Sequence, residues 1–203
     1  MKFTSKIAAV ILIGIAAGVR EGKAAEAASA NAVTVCLSNS SSAVVPAVQA
    51  EEIATRIFAT VSVTISWRRT GRDCPADSIK VSLDPDTPAG LFPRGALAYA
   101  HPFEGVRIRV FFDRIHHLSF DRPGLEPSLL AHVLVHEIAH ILQATDYHSS
   151  SGVMKASWDG GDYTRMMKTG LAFTPLDAVL IKLGMAARSA HYNPGQTLSG
   201  SRP

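Results

Sequence analysis

With 203 residues, 47% of them apolar and 18% charged, the chain has the length and core-forming content of one globular domain plus a short leader. The formal net charge is +3, and residues 1–30 hold most of it: Lys2, Lys6, Arg20 and Lys23 against Glu21 and Glu26, four cations less two acids. What remains is too small for the basic footprint of a nucleic-acid binder, and no internal repeat or low-complexity tract is present.

The start reads as a targeting segment. Lys2 and Lys6 precede an apolar run of 13 residues, Ile7 to Val19, too short to cross a bilayer comfortably. Ala28-Ser29-Ala30 fits a small-residue cleavage site. The expected organisation is a signal peptide over 1–30, a domain over 31–190 and a polar, frayed tail over 191–203. Such a chain is secreted or periplasmic, without stable membrane association once the leader is removed. In an oxidising compartment Cys36 and Cys74 are expected to form a disulfide, two buried thiols being the alternative. The bridge would be worth about 3–4 kcal/mol through loop closure.

Ala32 to Leu37 is β-branched and apolar and predicts a first strand. Ser38 to Ser42 is a polar loop able to cap the helix that follows, Val44 to Thr60, with Pro46 in its first turn and Val48, Ile53, Ile57 and Phe58 as its apolar stripe. Val61 to Trp67 alternates with period two, as a half-buried strand does. A turn over Thr70 to Ala76 leads to a third strand, Ile79 to Leu83, and then to a Pro- and Asp-rich loop ending at Gly90. Gly95 to His101 predicts a weaker fourth strand. Pro93 and Pro102 bound it, which places it at a sheet edge. Val106 to Ile115 gives the strongest strand pattern, with His116 and His117 in the loop after it.

Pro127 is placed in the first turn of a helix that runs to about Gln143 and carries His136-Glu137-Ile138-Ala139-His140. Residues four apart share a helix face, so His136 and His140 can grip one metal ion from adjacent turns. Glu137 is rotated off that pair, placed to act as a base on a water at the ion. His132, one turn earlier, reads as a packed or solvated residue rather than one that orients a ligand. Beyond the helix come Asp146, Tyr147 and His148, a Ser-rich turn ending at Gly152, and Met154. Asp159 to Asp162 breaks the chain, with Asp162 as a candidate cap for a short helix to Lys168. Thr174-Pro175 opens a last helix to about Arg188, with Leu176, Val179, Leu180, Leu183 and Met185 as its buried stripe.

These residues resemble a metzincin-type zinc metallopeptidase, of the matrix-metalloproteinase-like or snapalysin-like kind. The resemblance rests on the H-E-x-x-H motif, a third candidate ligand shortly after it, and Met154 beyond a glycine turn. It also rests on Gly95–Ala100 followed by Phe111-Phe112-Asp113, similar to that family's edge strand and the strand beside it. It implies a single α+β domain over roughly 32–185. A mixed, twisted sheet would place its edge strand beside the active-site helix, with a further helix at the C-terminal end. The implied activity is hydrolysis of an extended peptide or protein substrate aligned on Ala96, Leu97, Ala98, Tyr99 and Ala100. One Zn²⁺ would be held by His136, His140 and a third ligand, with Glu137 as general base and Met154 beneath the metal. The family pattern H-E-x-x-H-x-x-G-x-x-H is broken at two points: Gln143 stands at the glycine, and Asp146 at the last histidine. A longer return turn favours His148 as third ligand, with Asp146 as the alternative. A metal-binding module without hydrolysis, or a zinc hydrolase acting on a non-peptide bond, are the competing functions.

Overall fold

A computed structural model describes residues 31–71, 74–93, 95–100 and 106–192. The expected leader over 1–30, His101 and residues 193–203 of the expected tail lie outside them. The elements run β1 (Ala32–Asn39), α1 (Val44–Ala59), β2 (Thr64–Arg69), β3 (Ile79–Asp84), β4 (Ala98–Ala100), β5 (Arg107–Phe111), α2 (Phe112–Ser119), α3 (Leu125–Gln143), α4 (Gly160–Lys168) and α5 (Pro175–Tyr192). The class is α+β, as the sequence leads one to expect.

The strands obey their alternation. Val33, Val35 and Leu37 of β1, Ile79, Val81 and Leu83 of β3, and Ile108 and Val110 of β5 are buried, while Lys80, Arg107 and Arg109 face water. The sheet order is β2-β1-β3-β5-β4, parallel throughout except for β4, which runs antiparallel to β5 at the edge. Parallel neighbours need a crossover, and α1 supplies it between β1 and β2. Its buried face differs from the expected stripe. Ala47, Ala50 and Ala54 line it together with Ile57 and Phe58, and Val48 is exposed. Helix α1 packs extensively against α3. No side chain caps α1; the Ser41 hydroxyl stops short and accepts from the Ala43 N–H. Cys36 of β1 and Cys74 form a disulfide, Cα to Cα 6.1 Å, tying the sheet to the turn before β3.

Several expected boundaries move. The strand expected over Val106–Ile115 stops at Phe111, whose register partner Asp84 is the last residue of β3. Beyond that pair there is no strand to bond to, so the backbone coils into α2 and satisfies its own polar groups. His116 and His117 are therefore helical rather than loop residues. The edge strand is shorter than expected: Ala96 and Leu97 precede it, although the Leu97 carbonyl still accepts from the Phe111 N–H at 2.9 Å. β2 begins at Thr64, after a turn with Ser62 at φ 61. Asp159, not Asp162, is the N-cap of α4, and Asp162 closes the capping box from the third position. Helix α5 continues to Tyr192, past the expected start of the tail.

Helix α3 starts at Leu125, two residues before Pro127, and is buried almost throughout, as a helix apolar on all sides should be. Helix α5 crosses it so closely that a Cβ on Gly184 would meet the Leu142 carbonyl oxygen at 1.7 Å. The expected stripe on α5 holds at Met185, which is buried, and in part at Leu180, but Leu176, Val179 and Leu183 are exposed, and Asp177 and Ile181 face inward with Met185 instead. Among the described residues, no helix is long and apolar enough to cross a membrane.

Candidate metal centre

Helix α3 buries His136 and His140 one turn apart. Each imidazole is oriented by a backbone carbonyl. His136 Nδ1–H donates to Val153 O at 2.9 Å, and His140 Nδ1–H donates to Thr145 O at 2.9 Å. A carbonyl can only accept, so each ring keeps its proton on Nδ1 and offers a lone pair on Nε2. The two Nε2 atoms stand 3.0 Å apart. Lone pairs that close repel unless they share a cation. Burial, with the neighbouring His140 adding to it, holds His136 far below the usual imidazole range, at about 3, against the opposing pull of the Val153 carbonyl. Burial likewise lowers His140. Both rings are thus neutral, the form that ligates metal.

The third histidine arrives by way of the helix end. Gln143 is the last helical residue, and Ala144 takes the left-handed conformation, φ 50, that stops α3 and sends the chain back. The reversal therefore falls one residue after the position of glycine in the family pattern, on a residue other than glycine. Ser149 then anchors the returning segment: its N–H donates to Met154 O at 2.9 Å and its hydroxyl to Asp177 Oδ1 at 2.6 Å. The His148 ring comes to rest with its centroid 5.2 Å from that of His136 and 4.8 Å from that of His140. One ligand nitrogen from each of His136, His140 and His148 lies within 4.8 Å of the others, close enough to hold a metal ion. Asp146 is exposed and outside that group, and acts on His140 only through its charge.

Glu137 is turned away from the ligand pair, as its place in the motif requires. With His136 and His148 it lines a cavity of about 470 Å³ that also touches Ala96, Leu97 and Ala98. Desolvation pushes its carboxyl up to about 7. Of the expected substrate strand, Tyr99 and Ala100 do not line this cavity. Met154 is fully buried, and its neighbour Val153 provides the carbonyl that fixes His136.

Two further histidines among the described residues stand apart. His116 and His117 are exposed on α2, and His116 Nδ1 pairs with Glu126 Oε2 at 2.6 Å. Three residues that bear on the site were not singled out from the sequence for it. Trp158 meets the His136 ring edge-on, centroids 5.6 Å apart. Asp177 is fully buried; its Oδ2 accepts from the Thr174 N–H and hydroxyl, both at 2.7 Å, and its Oδ1 from Ser149. Thr174-Pro-Leu-Asp177 has the S/T-x-x-D form of a capping box, and that was the signal available. Nothing local marks Ser149 or Trp158.

No protein-family model matches this chain, and no curated protein matches it. The chemistry of the site therefore has to follow from its own atoms.

Proposed function

We propose that the chain is an exported, zinc-dependent endopeptidase of the metzincin type. The observation that carries the reading is the convergence of three imidazoles on one point, with Glu137 beside them in a cavity that runs under a sheet edge. Three imidazole nitrogen donors suit a borderline divalent ion such as zinc, whereas magnesium and calcium prefer oxygen ligands. His136, His140 and His148 would hold it, and Asp146, outside the cluster, leaves the ligand set open. When bound, such an ion polarises a carbonyl and makes a coordinated water acidic near neutral pH.

The remaining work falls to the chain's own groups. Glu137 takes a proton from the attacking water and returns it to the leaving amine, a role that favours a carboxyl poised near the working pH. The Val153 and Thr145 carbonyls keep the two helical imidazoles in the ligating tautomer. Strand β4, at the sheet edge, offers backbone groups to an extended peptide, the β-augmentation mode of recognition. Export is supported by the leader-like start and by the Cys36–Cys74 disulfide.

Metal analysis of the purified protein, paired with a casein and peptide-library assay with and without chelator, tests the reading. Bound zinc and chelator-sensitive cleavage are expected. Bound metal without cleavage of any peptide would make the chain a metal-binding module, and cleavage of other bonds alone would make it a different hydrolase.

A further inference from the structure

His132 is fully buried one turn before His136, and both of its ring nitrogens are engaged. Nδ1–H donates to the Ser128 carbonyl at 2.6 Å, so Nε2 carries the lone pair, and Nε2 accepts from the Leu171 N–H at 2.9 Å. Leu171 belongs to the segment between α4 and α5. Its neighbour Ala172 accepts at its carbonyl from the Val153 N–H at 3.0 Å, and Val153 in turn accepts from His136 Nδ1–H at 2.9 Å. The approach of the two segments depends on Gly152, at φ +76, where any Cβ would stand 2.3 Å from the Ala172 oxygen.

We propose that His132 is a positioning residue for the metal centre, acting through Leu171, Ala172 and Val153 on the orientation of His136. The helix thus fixes its own ligand by an outside route. One imidazole of α3 holds the 170–172 segment, that segment holds Val153, and Val153 sets the tautomer and rotation of the ligand one turn further on. An imidazole suits the first step because it donates on one side and accepts on the other across a buried gap. A simple packing role would need neither nitrogen. The inference rests on the three-histidine metal centre and not on the peptidase reading.

The test compares His132→Leu, which keeps bulk but neither hydrogen bond, with His132→Gln, which carries a donor and an acceptor on one side chain. Zinc affinity is measured on the full chain by competition with a chromogenic chelator. Outer partners of metal ligands typically carry about 10–100-fold of affinity. His132→Leu should lose that much, and His132→Gln should recover most of it. A folded His132→Leu chain with wild-type affinity overturns the proposal, as does a folded His132→Gln chain as weak as His132→Leu. Should His132→Leu not fold, amide hydrogen exchange of the wild type decides. Zinc should slow exchange at Leu171 and Val153 together, because coupling between two sites is reciprocal. Exchange at Leu171 that ignores zinc overturns the proposal. A wild-type chain that binds no zinc overturns the metal centre itself, which separates the two failures.

Discussion

Helices α2 and α3 both carry histidines, and they put them to opposite uses. On α2, His116 and His117 are exposed, and His116 meets a carboxylate, Glu126, at the surface. On α3, His132, His136 and His140 are buried, and each gives its Nδ1 proton to a backbone carbonyl. A surface imidazole next to a carboxylate gains little, because solvent screens the pair. A buried imidazole held by a carbonyl is fixed in tautomer and direction, and its second nitrogen is committed to whatever faces it. Enclosure and a carbonyl partner therefore fix the two helical ligands, His136 and His140, whereas the exposed His148 owes its place to the segment that carries it.

The sharpest way to break this contrast is to delete ligands. His136→Ala, His140→Ala and His148→Ala should each lower zinc affinity by more than about 100-fold, beyond the loss typical of an outer partner. Chelator competition measures it. Retained affinity in His148→Ala together with loss in Asp146→Ala would hand the third position to Asp146. Next comes Glu137→Gln, which should keep zinc and lower peptide hydrolysis about 10²–10⁴-fold. Wild-type turnover in that variant would remove Glu137 from the mechanism.

The enclosure of α3 can be probed without touching a histidine. Gly184→Ala drives a methyl into the Leu142 carbonyl, so α3 and α5 must part. A stability loss of about 3 kcal/mol is expected, at the upper end for overpacking, and chemical denaturation reads it. Met154→Leu nearly conserves volume in a fully buried position, so it should cost under about 1.5 kcal/mol and leave zinc in place. Complete metal loss in a folded Met154→Leu chain would mean that the sulfur ligates. The smallest effect belongs to α2: His116→Ala should change stability by less than about 0.5 kcal/mol and zinc affinity not at all. A metal-deficient His116→Ala chain would erase the distinction between the two helices.

Much of this was legible along the chain. β-Branched, apolar composition placed β1, and alternation placed β2 and β5 to within a few residues, because a strand with one buried face repeats every two residues whatever it pairs with. The apolar periodicity of α3 and the four-residue spacing of its motif placed His136, Glu137 and His140 relative to one another, since helix geometry is local. The Cys36–Cys74 bridge was the expectation for two cysteines in an exported chain, with two free thiols as the alternative, and the fold brings the pair together.

Tertiary structure decided the rest. The strand pattern of Val106–Ile115 carries no mark of where pairing ends, and the end of β3 determines where β5 must stop. The inward face of α5 is chosen by the Asp177 capping box and by the contact at Gly184, so Leu176, Val179 and Leu183 are left outside while Ile181 and Met185 point in. The place of His148 depends on Ala144 adopting a left-handed conformation that its residue type does not favour, and on Ser149 finding Asp177 across the fold. His132 looked like a packed residue because its second partner, Leu171, is remote in sequence. Local geometry is written in neighbouring residues, whereas a ligand set that closes through space, and the partners that orient it, exist only once distant segments have packed.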